Sequence, residues 1–316
     1  MTVVVWSVAV LVGFAMSIIA STRTVTYASA FAKVTRLPPF IVGMTLLAVG
    51  TDLPEIANSI IASASGHGDI NVGDSVGSAA TQATLILGLL PFLGGSLATP
   101  GRRPFVTGLF AAISLVLVAV LVADGFLSRS NGGLLVVVWL VGSWAAYRIL
   151  GRSPSDDVED LTPKEGVGAM RPHRLVTLAL VSLLFVGAGA TLAVVGTIQI
   201  AEHLGAPEFL IGFFALSLGT SLPELVVGLT AARQGESALA VGNILGATFA
   251  DATLSVGIGP LLFPVAVTAS EAVPAALAAA VAVAAVTLML IRSERHKHWT
   301  GAFALALYSL FYVVLL

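Results

Sequence analysis

The chain has 316 residues, of which 57% are hydrophobic and only 10% charged, and its formal net charge is −2. A mean hydropathy of +0.99 over this length suits a lipid bilayer and excludes a soluble enzyme, and so mild a net charge offers no basic surface for nucleic acid. There are no cysteines, which excludes disulfides, thiol nucleophiles and Cys-ligated metals.

The first apolar run, Thr2 to Ala20, is longer than a signal-peptide core and has no basic region before it, so it reads as a retained helix. A span needs roughly 20 apolar residues to cross a core of about 30 Å. Ten such spans follow one another near 2–22, 39–65, 70–95, 104–124, 132–149, 174–200, 208–232, 238–264, 272–292 and 299–316. The one long polar stretch, residues 151–173, holds Asp156, Asp157, Glu159, Asp160 and Glu165. It reads as a solvated linker, with a regulatory cation-binding role as the alternative. It divides the chain into two five-span units, 1–150 and 174–316.

The two units repeat one another. A shift of 169 residues lays Gly50, Thr51, Leu53, Pro54 and Glu55 on Gly219, Thr220, Leu222, Pro223 and Glu224. The match continues without a gap through Gly73/Gly242, Gly77/Gly246, Thr84/Thr253 and Gly88/Gly257. An odd number of spans per unit places the second unit upside down relative to the first. The predicted fold is therefore an all-α polytopic membrane protein of ten transmembrane helices in two inverted five-helix repeats, an architecture associated with secondary transporters. Basic residues orient it. With the N-terminus outside, Lys33, Arg36, Arg102, Arg103, Arg148, Arg233 and Arg292 to Lys297 face the cytoplasm, as does the 151–173 linker, and Arg129 alone faces out.

Most acidic residues lie in loops or at span ends; four do not: Asp52, Glu55, Glu224 and Asp251. An Asp at mid-bilayer costs about 2.5–3.5 kcal/mol on insertion scales, and no basic residue in these spans offsets it. Such acids are protonated or hold a cation. Around them, Gly50-Thr51-Asp52-Leu53-Pro54-Glu55 and Gly219-Thr220-Ser221-Leu222-Pro223-Glu224 put Gly and Pro inside apolar spans. Proline removes a backbone donor and breaks the helix, so carbonyls near Ala48–Thr51 and Ser217–Thr220 become available as oxygen ligands. One such motif would be an ordinary kink; two symmetric ones, each with a glutamate, are not readily explained that way. Asp74, Ser78 and Gln82 are spaced by four and form a polar stripe, with Asn243, Ala247 and Asp251 as its repeat counterparts. Gly73, Gly77, Gly242 and Gly246 beside them are expected to allow close helix approach. An all-oxygen ligand set without Cys or a buried His favours hard cations such as Ca²⁺ and Na⁺. His67 and His203 are expected at span ends. Adjacent helical residues diverge by about 100°, so Asp52 is expected to face a sodium subsite rather than a shared divalent centre.

At these residues the chain resembles the cation/calcium exchanger superfamily, nearest the prokaryotic sodium/calcium exchangers. The two signature regions span 39–88 and 208–257, and Gly219–Glu224 carries the family motif intact. The resemblance implies that Glu55 and Glu224, with Thr51 and Thr220, hold Ca²⁺. It also implies that the same acids, with Ser78, Ser221 and Asp251, serve Na⁺, and that the first two spans of each half slide to alternate access. Asp52 stands where the family has a small hydroxyl, Gln82 where Asn or Asp is usual, Asp74 in place of a common Asn, and Ala247-Thr248 in place of Ser-Asn. Thr51 and Thr220 favour Na⁺ coupling, because the proton-coupled branch has Asn there, whereas the extra carboxylate Asp52 favours H⁺.

The expected function is a multi-pass antiporter of the cytoplasmic membrane exchanging Ca²⁺ for Na⁺ by alternating access. The expected site residues are Thr51, Asp52, Glu55, Ser78, Gln82, Thr220, Ser221, Glu224 and Asp251. A Ca²⁺ or other divalent cation/H⁺ antiporter is the alternative, and a passive channel is the reading from another class. No enzyme, cofactor or nucleic-acid partner is expected, since the five histidines lie outside the predicted span centres.

Overall fold

The computed structural model describes residues 2–98, 102–150, 167–203, 217–293 and 295–315. Helices dominate. The unbroken ones are α1 (Thr2–Thr35), α7 (Arg102–Leu121), α8 (Arg129–Leu150), α9 (Pro172–His203), α14 (Ala269–Arg292) and α15 (His298–Leu315). Helix α1 outruns the expected 2–22 by more than three turns. Its second half keeps Val25, Ala28 and Ala32 buried on one face, at the spacing that a helix needs to go on packing.

The other spans are interrupted. The second runs as α2 (Pro39–Val42), a π turn at Gly43–Leu47, α3 (Ala48–Thr51) and α4 (Leu53–Ala64), and bends by 45° after Thr51. The third is α5 (Gly68–Thr81), a π turn at Gln82–Ile86 and α6 (Leu87–Leu93). In the second half, α10 (Ser217–Thr220) leads to α11 (Leu222–Arg233), and α12 (Ser237–Ala250) passes through a π turn at Asp251–Ser255 into α13 (Val256–Leu262). Among the described residues, seven helices are long and apolar enough to cross a membrane, or eight if the bent pair counts as one span. Of the ten expected spans, two stand outside that set. One is the seventh, whose residues 208–216 lie outside the described residues; the other is α15. Most of the 151–173 linker also lies outside them.

Repeat-equivalent helices pack on each other across the two halves. Helix α1 runs along α9, where Ser17 Oγ donates to the Val186 carbonyl at 2.9 Å, and α7 runs along α14. Helix α12 lies against α2 and the following π turn so closely that a Cβ at Gly246 would stand 2.5 Å from the Met44 backbone. Gly73 and Gly77, by contrast, meet nothing within 4 Å among the described residues, so the expected close approach holds for one half only. Two short antiparallel ladders tie the loops together: β1 (Leu97–Ala98) with β4 (Arg295–His296), and β2 (Phe126–Leu127) with β3 (Val265–Ala266). Large apolar side chains such as Leu11, Ile19, Val120, Trp144, Leu184 and Val281 remain exposed along the outer helices. In water they would be an aggregation surface; against lipid they are the solvated face.

Pro91 and Pro260 stand inside α6 and α13. Neither can supply the N–H that the carbonyl four residues earlier needs. Those carbonyls belong to Leu87 and Val256. Side chains distant in sequence serve both: His296 Nε2 lies 2.7 Å from the Leu87 oxygen, and Asn71 Nδ2 donates to the Val256 oxygen at 3.1 Å. His296 is fully buried, which corrects the expectation of no buried histidine. It belongs to β4, beyond the end of α14, and not to the cluster of Asp52, Glu55 and Glu224. His67 and His203 are exposed, at the end of α4 and α9.

Candidate ion-binding site

The two helix breaks sit at Asp52 and Ser221, one residue before Leu53-Pro54 and Leu222-Pro223. Asp52 has φ −75° and ψ 3°, Ser221 φ −84° and ψ 5°, both just off helical values. Each proline occupies the first turn of the next helix, where its missing N–H is harmless, and each glutamate follows in that same turn. An acid there benefits from the positive end of the helix dipole. So Glu55 and Glu224 are carried at the N-termini of α4 and α11, one from each half.

These two side chains meet. Carboxylate oxygens of Asp52, Glu55 and Glu224 all lie within 4.8 Å of one another, and all three residues are fully buried. The expectation that Asp52 turns to a separate subsite fails here. The 100° step assumes an unbroken helix, and the break at Asp52 itself redirects its side chain toward the glutamates. Asp251 is fully buried too, at the start of the second-half π turn, with Gln82 at the equivalent place in the first. Gln82 and Ser255 flank Asp251, and Thr51 flanks Glu224. None of the oxygens of Asp52, Glu55, Glu224 and Asp251 has a hydrogen-bond partner at good geometry among the described residues. The same holds for the Gln82 amide and the Ser221 hydroxyl. Leaving even one such group unsatisfied costs about 1–3 kcal/mol, more if charged. So many together form a buried polar cluster that a cation could neutralise.

The hydroxyls complete the wall. Thr51 Oγ1 donates back to the carbonyls of Leu47 at 3.1 Å or Ala48 at 3.0 Å, so its own lone pairs stay free. Ser78 Oγ stands 3.3 Å from Thr220 Oγ1. All nine residues expected from the sequence thus lie at the two breaks or on α5, α12 and their π turns. Ser255 and Asn243 stand outside that expected set. Both are buried, with the Ser255 hydroxyl and the Asn243 amide unpartnered among the described residues. Asn243 is the repeat counterpart of Asp74 in the predicted stripe; Ser255 carries no signal beyond its spacing of four from Asp251.

Carboxylate and hydroxyl oxygens of this kind are the donor set that suits hard cations. The chain matches the family described as sodium/calcium exchanger protein over residues 5–148 and 174–316. It is 32% identical to the inner membrane protein YrbG of Escherichia coli (strain K12) over 263 residues, 80% of this chain and 79% of that one. It is 31% identical to the putative antiporter CaxA of Alkalimonas amylolytica, over 83% of this chain and 82% of that one. The fold matches a solved structure of the sodium-calcium exchanger NCX_Mj with a TM-score of 0.82 at 24% identity, covering 99% of this chain and 100% of that one. The chain is a polytopic membrane protein that belongs to the sodium/calcium exchanger family, a family of ion exchangers rather than of enzymes.

Proposed function

We propose that this protein is a secondary antiporter of the cell membrane that moves Ca²⁺ outward against entering Na⁺ by alternating access. One observation carries the proposal: carboxylates from both halves, Glu55 and Glu224 with Asp52 beside them, converge within 4.8 Å, fully buried and without a hydrogen-bond partner among the described residues. A divalent ion neutralises such a cluster, and Na⁺ ions sharing its oxygens compete with it. Competition for shared ligands, with access from one face at a time, yields exchange without a covalent step. Thr51, Asp52, Glu55, Ser78, Gln82, Thr220, Ser221, Glu224 and Asp251 form the proposed ligand set. Membership of the sodium/calcium exchanger family and the likeness of the fold to the sodium-calcium exchanger NCX_Mj favour these ions.

The proposed topology is ten spans in two inverted halves, 1–150 and 174–316, with the N-terminus outside and the 151–173 linker in the cytoplasm. Its support is the 169-residue repeat, the equivalent breaks at Asp52 and Ser221, the equivalent π turns at Gln82 and Asp251, and the basic residues at one set of loops. Ca²⁺/H⁺ antiport is a second reading, favoured by Asp52, a carboxylate where the repeat has Ser221. The test is ⁴⁵Ca²⁺ uptake into proteoliposomes, driven in turn by an outward Na⁺ gradient and by a pH gradient of either sign. Uptake that follows the Na⁺ gradient alone supports the proposal. Uptake that follows the pH gradient selects the second reading, and uptake indifferent to both indicates a passive pore.

A further inference from the structure

Outside the central cluster, one more carboxylate belongs to the span interior. Asp74 lies on α5, four residues before Ser78, on the side of the turn at 65–67. At 1.5 Å per residue it stands about 9 Å along the helix from Gly68, and Ser78 about 6 Å further in. Asn58 Nδ2 donates to Asp74 Oδ2 at 2.6 Å, and Thr220 Oγ1 donates to Asp74 Oδ1 at 3.3 Å. Thr220 in turn is 3.3 Å from Ser78. A chain of polar side chains from α4, α5 and α10 therefore runs from a half-buried outer carboxylate to the hydroxyls of the central cavity. Two donors occupy only part of the acceptor capacity of a carboxylate.

The repeat breaks its symmetry at this place. The counterparts of Asp74 and Asn58 are Asn243 and Val227. Asn243 is fully buried, while Asp74 is half-buried. One side of the central cluster thus carries a carboxyl group in a polar chain, and the other side carries an amide and an apolar residue.

We propose that Asp74, with Asn58 and Thr220, forms an outer cation subsite that receives Na⁺ or Ca²⁺ on its way between the central carboxylates and the membrane face bearing the 65–67 turn. The ion identities rest on the exchanger function proposed above. In that topology this face is extracellular. A purely structural Asp74, tying three helices together, would act on both faces alike. A subsite acts on one.

The test uses the full-length protein in proteoliposomes of uniform orientation, with Na⁺ or Ca²⁺ varied on one face at a time. Asp74→Asn keeps the shape and removes the charge. The half-saturating cation concentration should rise about tenfold on the face of the 65–67 turn, the scale of one unit charge at an intermediate dielectric. On the opposite face it should stay within about twofold. Asn243→Asp, made separately, should lower the half-saturating concentration on the opposite face only, so the inference does not hang on one variant. Equal shifts on both faces, or none in either variant, would overturn it. Absence of gradient-driven exchange in the wild-type protein would instead overturn the proposed function.

Discussion

Glu55 and Glu224 show how burial and pairing decide a residue's role. A carboxylate removed from water needs a partner, and none of the described residues supplies one to either glutamate. Glu55→Gln and Glu224→Gln preserve shape and remove one charge each. Each should cut Ca²⁺ exchange by about a hundredfold or more, the scale of a lost charged ligand, while the protein still inserts and elutes as a folded species in detergent. Asp251 and Gln82 occupy equivalent π-turn positions but differ in charge. Asp251→Asn should therefore damage exchange far more than Gln82→Asn in the same flux assay; equal mild effects would remove Asp251 from the pathway. Asp52→Ser restores the repeat's own residue at that place. It should weaken Ca²⁺ affinity, because Asp52 lies against both glutamates, and Na⁺-driven exchange should persist at higher Ca²⁺. The glutamates were legible because each motif carries its own proline, and both motifs recur. The aim of Asp52 was not. A periodicity rule holds inside a helix, and Asp52 is the residue at which the helix stops.

The helices raise a different problem, the carbonyls that proline strands. Pro91 and Pro260 are plain in the sequence, but their consequence is not, since the groups that serve Leu87 and Val256 lie 209 and 185 residues away. His296 also approaches Thr300 Oγ1 through Nδ1 at 2.7 Å. Replacing it with Leu, the type found at the buried Leu127 of the other ladder, should cost about 1–3 kcal/mol by orphaning a buried acceptor. A lowered melting temperature in detergent would register the loss. Burial holds the His296 imidazole below its ordinary 6.5, partly opposed by its bond to Leu87. The folded state therefore binds the proton less readily than the unfolded chain. Its stabilising effect is complete above the unfolded value and declines as pH falls below it. Acidification below about pH 6.5 should lower the melting temperature of the wild type more than that of His296→Leu. The π turns were also invisible beforehand, because Gln82–Ile86 and Asp251–Ser255 differ from ordinary helix by one backbone bond and leave the apolar pattern almost intact.

For the molecule as a whole, the composition leaves lipid as the solvent, and the 169-residue repeat predicts that equivalent helices occupy equivalent places. The pairing of α1 with α9 and of α7 with α14 fits that prediction. Each half contributes one break and one glutamate to the same buried cluster. The central claim is that the two halves share one cation cavity in which Ca²⁺ and Na⁺ exclude each other. Calorimetric titration of Ca²⁺ into the purified protein, with and without Na⁺, tests it most directly. Ca²⁺ binding that Na⁺ competes away, and that vanishes in both Glu55→Gln and Glu224→Gln, is the predicted result. Ca²⁺ binding that persists in both variants, or that Na⁺ leaves untouched, would contradict it.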